Sequence, residues 1–242
     1  MSKVGINSVA LGIKIYQDAL DITANNIANV NTDGFKASRA SFSDLIYTSV
    51  NQKNQYHQEG HGIRVNKTDL MFEQSTLHDT GRKLDFAALD EGFFAVQAGE
   101  DTLFTKAGSF KVTQNEAGEW ELCDANGGFV LDADGNHITV PYDEETDEYD
   151  LEGVASKLAV YRFPNPYGLD QLGENYYEQN DSSGVAYVDP DATLKQGYIE
   201  KSSTNVANEM SKVIEYQRSF QLNVTLFKQH DQMNAEMNNL RN

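Results

Sequence analysis

The chain reads as an α+β protein in which N- and C-terminal helical arms, paired in a coiled-coil-like layer, flank a central, mainly antiparallel β domain. Two observations predict this. Ile6, Val9, Ile13, Tyr16, Leu20, Thr23, Ile27 and Val30 recur at alternating spacings of three and four near one end. Val206, Met210, Val213, Gln217, Phe220, Val224 and Phe227 do the same near the other. That alternation keeps an apolar seam on one side of a helix and suits partner helices lying nearly parallel. Between the arms, short aromatic and β-branched runs are separated by glycine-bearing turns, the pattern of antiparallel strands. The expected divisions are an arm over 1–34, a connecting segment with an extended loop over 35–75, a β domain over 76–202 and a second arm over 203–242.

The first arm carries Lys3 and then an apolar stretch from Val4 to Ile13. Asn7 and Ser8 interrupt that stretch, no A-x-A site follows, and the helical seam runs on to Val30, so a cleaved leader is not expected. The arm ends in Asn25, Asn26, Asn29 and Asn31, then Thr32, Asp33, Gly34 and Phe35. Asparagine and glycine suit a left-handed helix end. An asparagine beside the seam can instead find buried hydrogen-bond partners and fix helix register. Both readings stand.

Phe42, Leu45, Ile46 and Val50 fall at helix-like spacing, and residues 51–62 are polar and glycine-bearing, a loop or extended excursion. Strands are expected at 93–96, 109–112, 129–131, 138–140 and 158–161. Pro141 to Glu152 holds seven acids (Asp143, Glu144, Glu145, Asp147, Glu148, Asp150 and Glu152) and no base, which implies a solvated loop. Ser202, Ser203, Thr204 and Asn205 offer helix caps, with Glu209 in the first turn of the second arm.

Composition excludes several functions. With 19 basic and 37 acidic residues the formal charge is −18, which opposes nucleic-acid binding. No run of about 18 apolar residues is present, so no membrane insertion is expected. Cys123, the only cysteine, cannot form an intrachain disulfide. His57 and His61 flank Glu59 in H-Q-E-G-H, but a zinc protease pair requires H-E-x-x-H on an unbroken helix. Asp132, Asp134, Gly135 and Asn136 lack the full calcium-loop pattern and suit a hairpin turn. No nucleophile elbow, phosphate loop or Cys/His cluster occurs, so no enzyme, cofactor, catalytic residue or metal site is expected.

The segment Ala24-Asn25-Asn26-Ile27-Ala28-Asn29-Val30-Asn31-Thr32-Asp33-Gly34-Phe35-Lys36 resembles the signature of bacterial flagellar rod and hook proteins. Leu84-Asp85 with Gly92-Phe93-Phe94-Ala95-Val96, Phe104-Thr105-Lys106-Ala107-Gly108-Ser109-Phe110, Gln196-Gly197-Tyr198-Ile199-Glu200 with Asn205-Val206, and Gln217-Arg218-Ser219-Phe220 resemble further family patterns. Ser75, Ala88 and Asp90 depart from them. The resemblance implies a structural subunit of the basal-body rod, in which terminal arms form an inner helical tube and the β domain packs outside it. It implies a helical homopolymer whose partners are neighbouring rod and hook proteins and the flagellar type III export apparatus, with a surrounding ring or bushing as a further candidate. The place would be the flagellum basal body in the cell envelope, reached without a cleaved signal peptide. Phe42-Ser43-Asp44-Leu45-Ile46-Tyr47 and Gln217-Arg218 resemble the distal rod type; the proximal rod is the alternative, and a secreted β-domain binding module or an acidic hydrolase are the alternatives of another class.

The assembly seams are then the two sets of apolar residues named above. Glu209 and Lys212, Glu215 and Arg218, and Lys228 and Asp231 stand three apart and are read as solvated helix faces. Periodicity alone also allows an intramolecular helical hairpin. The seam residues of a lone arm do not compensate for ordering its backbone, so the arms are expected to order on docking.

Overall fold

A computed structural model describes residues 3–44, 47–49, 58–60, 63–89, 92–99, 101–115, 118–143, 148–149, 151 and 153–240. It contains two long helices, α1 (Lys3–Ala28) and, near the C-terminus, α3 (Val206–Leu240), with a single-turn helix α2 (Val154–Lys157) between them. The chain divides into two compact units. The first comprises Met1–Ala28, Ser38–Leu70 and Asn205–Asn242; the second comprises Asn29–Ala37 and Met71–Thr204.

In the first unit α1 and α3 pack against each other, and α1 also meets a two-stranded ladder. The helices run in opposite directions: Gly12 lies beside Asn223, Tyr16 beside Tyr216 and Asn26 beside Glu209. The ladder pairs Ser38–Asp44 with Ile63–Leu70 in antiparallel register, with an irregularity between Ser41 and Phe42. Phe42 therefore sits on a strand, against its helix-like spacing with Leu45, Ile46 and Val50. A strand that finds a partner eight residues long overrides a local periodicity of a few apolar positions. Leu45, Ile46 and Val50 lie outside the described residues, as do His57 and His61. Gln58–Gly60 between those histidines is a short strand paired with Tyr47–Ser49.

The second unit is built on an antiparallel sheet. Among the described residues its order is Asp170–Gly173, Tyr176–Glu178, Asp101–Thr105, Phe94–Ala98, Phe129–Val130, Trp120–Cys123 and Lys111–Gln114. Its core gathers Phe86, Phe94, Val96, Phe110, Leu122, Val130, Ile138 and Val160. A second aromatic group adjoins: Phe93 stacks edge-on against Phe72, Phe163 and Tyr177 at 5.4–5.8 Å. Such edge-to-face contacts add to plain area burial. Of the 158–161 run expected as strand, only Tyr161 is strand, in Tyr161–Arg162, and Leu158 follows directly on α2. Around Gly135 (φ +82°) the Asp132 side chain accepts from the Asp134 and Asn136 amides, which makes this a turn. Cys123 is buried, and that burial pushes its thiol up.

Candidate assembly interface

The site begins with how α1 meets α3. The innermost line on α1 is Gly12, Ile15, Ala19, Thr23 and Asn26, with Ile15 4 % exposed and Ala19 fully buried. Small residues let the helices approach: a Cβ on Gly12 would stand 3.1 Å from the Asn223 side chain. Thr23 returns its hydroxyl to the Ala19 carbonyl at 2.8 Å. Tyr16 and Phe42 both lie against Tyr216, with ring centroids 6.2 and 6.4 Å apart. Burial pushes the Tyr216 phenol up.

The seam residues Val9, Ile13, Tyr16, Leu20 and Ile27 stand half-buried beside that line, one position off it. Val30 is also half-buried but falls in a turn past the end of α1. The Ile6 side chain lies outside the description. On α3, Val213, Phe220, Val224 and Phe227 are half-buried, whereas Val206, Met210 and Gln217 are exposed.

Sequence reasoning missed a second set on α3. Leu222, Leu226, Met233, Met237 and Leu240 are all exposed. At 100° per residue they fall within an arc of roughly 60°, about 100° around the helix from the side that meets α1. Val206, Met210 and Ile214 are exposed on the opposite flank. Spacings of four and three between Leu222 and Leu226, Met233 and Met237, and Met237 and Leu240 carried the signal. The first seam drew attention away from them.

Asn26 decides between the two readings of the asparagine patch. It is 1 % exposed. Its amide nitrogen donates to the Ser38 carbonyl at 2.8 Å and to the Glu209 carboxylate at 3.1 Å, and its oxygen accepts from the Ser38 amide at 2.9 Å. One side chain thus ties α1, the first strand and α3 together, with its hydrogen-bonding capacity well used. Glu209 is buried and held further by Lys212 at 2.5 Å. That corrects the solvated reading of this charge pair: a carboxylate gripped by a buried amide is no longer free for water. Asn205 caps α3, its side chain accepting from the Asn208 amide at 3.2 Å.

The rest of the patch belongs to the second unit, save Asn25, which lies on an exposed position of α1. Asn29 accepts from the Thr32 hydroxyl at 3.2 Å, and Asn31 is exposed. Gly34 has φ +69°, and a Cβ there would come within 2.6 Å of the Lys106–Ala107 backbone. Only glycine fits both demands. Phe35 is buried. The adjacent Lys36, fully buried, donates to Glu200 at 2.6 Å and to the Glu73 carbonyl at 2.7 Å. Glu200 also accepts from the Ser75 amide at 2.6 Å, and Lys106 stands 4.0 Å from its other oxygen. Both ends of the ion pair occur in the motifs read from the sequence; their pairing could not be seen there. Among the described residues no group of three or more His, Cys, Asp or Glu is placed to hold a metal ion, and no helix is long and apolar enough to cross a membrane.

The arrangement supports fastening and docking. Comparison with known proteins agrees. Residues 16–36 match the family model of the flagella basal body rod protein, and residues 195–240 that of the flagellar basal body rod FlgEFG protein C-terminal region. The flagellar basal-body rod protein FlgG of Bacillus subtilis (strain 168) is 30 % identical, covering 95 % of this chain and 96 % of its own. FlgG of Buchnera aphidicola subsp. Baizongia pistaciae (strain Bp) is 32 % identical over 92 % and 94 %. The flagellar basal-body rod protein FlgF of Mesorhizobium japonicum is 28 % identical over 87 % and 86 %. With near full-length similarity on both sides, the chain belongs to the flagellar basal-body rod protein family.

Proposed function

We propose that this chain is a structural subunit of the flagellar basal-body rod, of the distal type, polymerising helically through α1 and α3 into the shaft that links motor to hook. One observation carries the docking role: α3 presents exposed apolar side chains on two flanks that its own chain leaves open. A helix covered on only one of three sides suits neighbours on the other two. The fuller coverage of the two FlgG relatives, 95 % and 92 % of this chain against 87 % for the FlgF relative, supports the distal over the proximal type. On this reading the partners are further copies, adjoining rod and hook proteins, and the export apparatus that delivers the chain.

Leu226→Asp tests the reading, because Leu226 is 44 % exposed on one of those flanks. The β unit is expected to melt as in wild type while polymerisation and motility are lost. A variant that polymerises at the wild-type concentration removes α3 from the interface.

A further inference from the structure

The chain's single tryptophan, Trp120, lies outside the hydrophobic core. It lines an open groove of about 350 Å³ together with Gly118, Glu119, Thr139, Pro141 and Tyr142. Its ring centroid is 5.6 Å from Tyr142 and 5.3 Å from Tyr149, and the two tyrosines stand 5.3 Å apart. Trp120 and Tyr142 are half-buried and Tyr149 is 37 % exposed. Three mutually touching rings at a surface are an unusual use of the residue types that proteins otherwise bury.

The backbone beside the rings is acidic. Tyr142 faces Tyr149 across a two-rung antiparallel ladder, and the second rung sets Asp143 opposite Glu148. Both strands belong to the segment from Pro141 to Glu152, which holds seven acids and no base. Exposed Glu119 adds a third carboxylate-bearing residue at the rim.

We propose that this groove docks a cationic, extended segment of a partner polypeptide, with an arginine guanidinium laid on the aromatic trio. The tryptophan face is the strongest aromatic acceptor for such a cation, and aromatic-lined grooves seat extended, proline-bearing chains. A positive charge is drawn to this acid-rich segment and to exposed Glu119, whereas a neutral sugar stacked on the same rings is not. A second copy of this chain is the wrong occupant, since its 37 acids against 19 bases bring more negative charge to an acidic rim. The site makes no demand on the terminal helices, so it stands apart from polymerisation.

Because no other tryptophan contributes, intrinsic fluorescence of the full-length chain reports on the groove directly. The probe is a capped hexapeptide alternating arginine and proline. Its titration is expected to shift Trp120 emission saturably, and the shift is expected to weaken with added salt. The same peptide with citrulline in place of arginine, and chitotetraose, are expected to give no saturable change. Asp143→Asn and Glu148→Gln are expected to weaken binding about threefold each, with the thermal melt of the β unit unchanged. The proposal is overturned by no saturable shift with the arginine peptide, by an equal response to citrulline peptide or sugar, or by wild-type binding in both amide variants.

Discussion

Asn26 shows how much one side chain can hold. Its hydrogen bonds reach a strand and a second helix, and its only charged partner, Glu209, is itself buried. Replacing it by alanine leaves the Ser38 backbone groups and that carboxylate without their partner. Asn26→Ala is expected to cost about 2–4 kcal/mol, read from urea unfolding followed by helical circular dichroism. Tyr177 sets a second expectation at this scale. Burial first, and the Glu200 charge second, push its phenol well above the ordinary range. Above a pH of about 10, the usual tyrosine value, the unfolded chain has lost a proton that the folded chain keeps. Stability from this group is therefore fully present below that pH and falls as pH rises above it. Melting temperatures measured from pH 8 upward are expected to show the decline, and Tyr177→Phe to flatten it.

The long elements were legible where period and caps agreed. The α3 start followed from Asn205 and Glu209, and the strand around Phe94–Val96 from its apolar run. The Ser38–Asp44 strand was not legible, because its partner lies some twenty residues on and no local pattern announces it. The line that α1 buries against α3 stands one position off the expected seam for a related reason. Periodicity finds large apolar residues, whereas close helix packing selects small ones, here Gly12 and Ala19. That geometry also bears on order. Among the described α1 side chains that are buried, only Ile15 is large and apolar. The β unit, by contrast, buries Phe86, Phe93, Phe94 and Phe110 completely. In dilute subunit, amide exchange in α1 is expected to be much faster than in the Phe94–Ala98 strand. Equal protection in both is the result that breaks the docking-coupled picture of the arms.

For the whole molecule the governing quantity is charge. A formal −18 on each copy opposes bringing copies together, and salt screens that repulsion over about 10 Å at 0.1 M. On the proposed function, the concentration at which purified subunit polymerises is expected to fall as sodium chloride rises from 20 to 300 mM, followed by light scattering. An interface dominated by attractive ion pairs gives the opposite trend. The overall class and family were legible because the asparagine-rich segment and the Gly92–Val96 and Lys106–Phe110 stretches are distinctive in composition. The buried Lys36–Glu200 pair was not, since its members are 164 positions apart and sequence alone assigns neither a partner.

Met210, Met233 and Met237 are among the five methionines of the chain, and all three lie exposed on α3. Thioethers so placed are open to peroxide, and each sulfoxide sets a polar oxygen on a surface that gains its value from shedding water. On the proposed function, a shaft built from such subunits is protected by its own completion: once covered by neighbours, the sulfur atoms pass out of reach of the oxidant that threatens the unassembled pool.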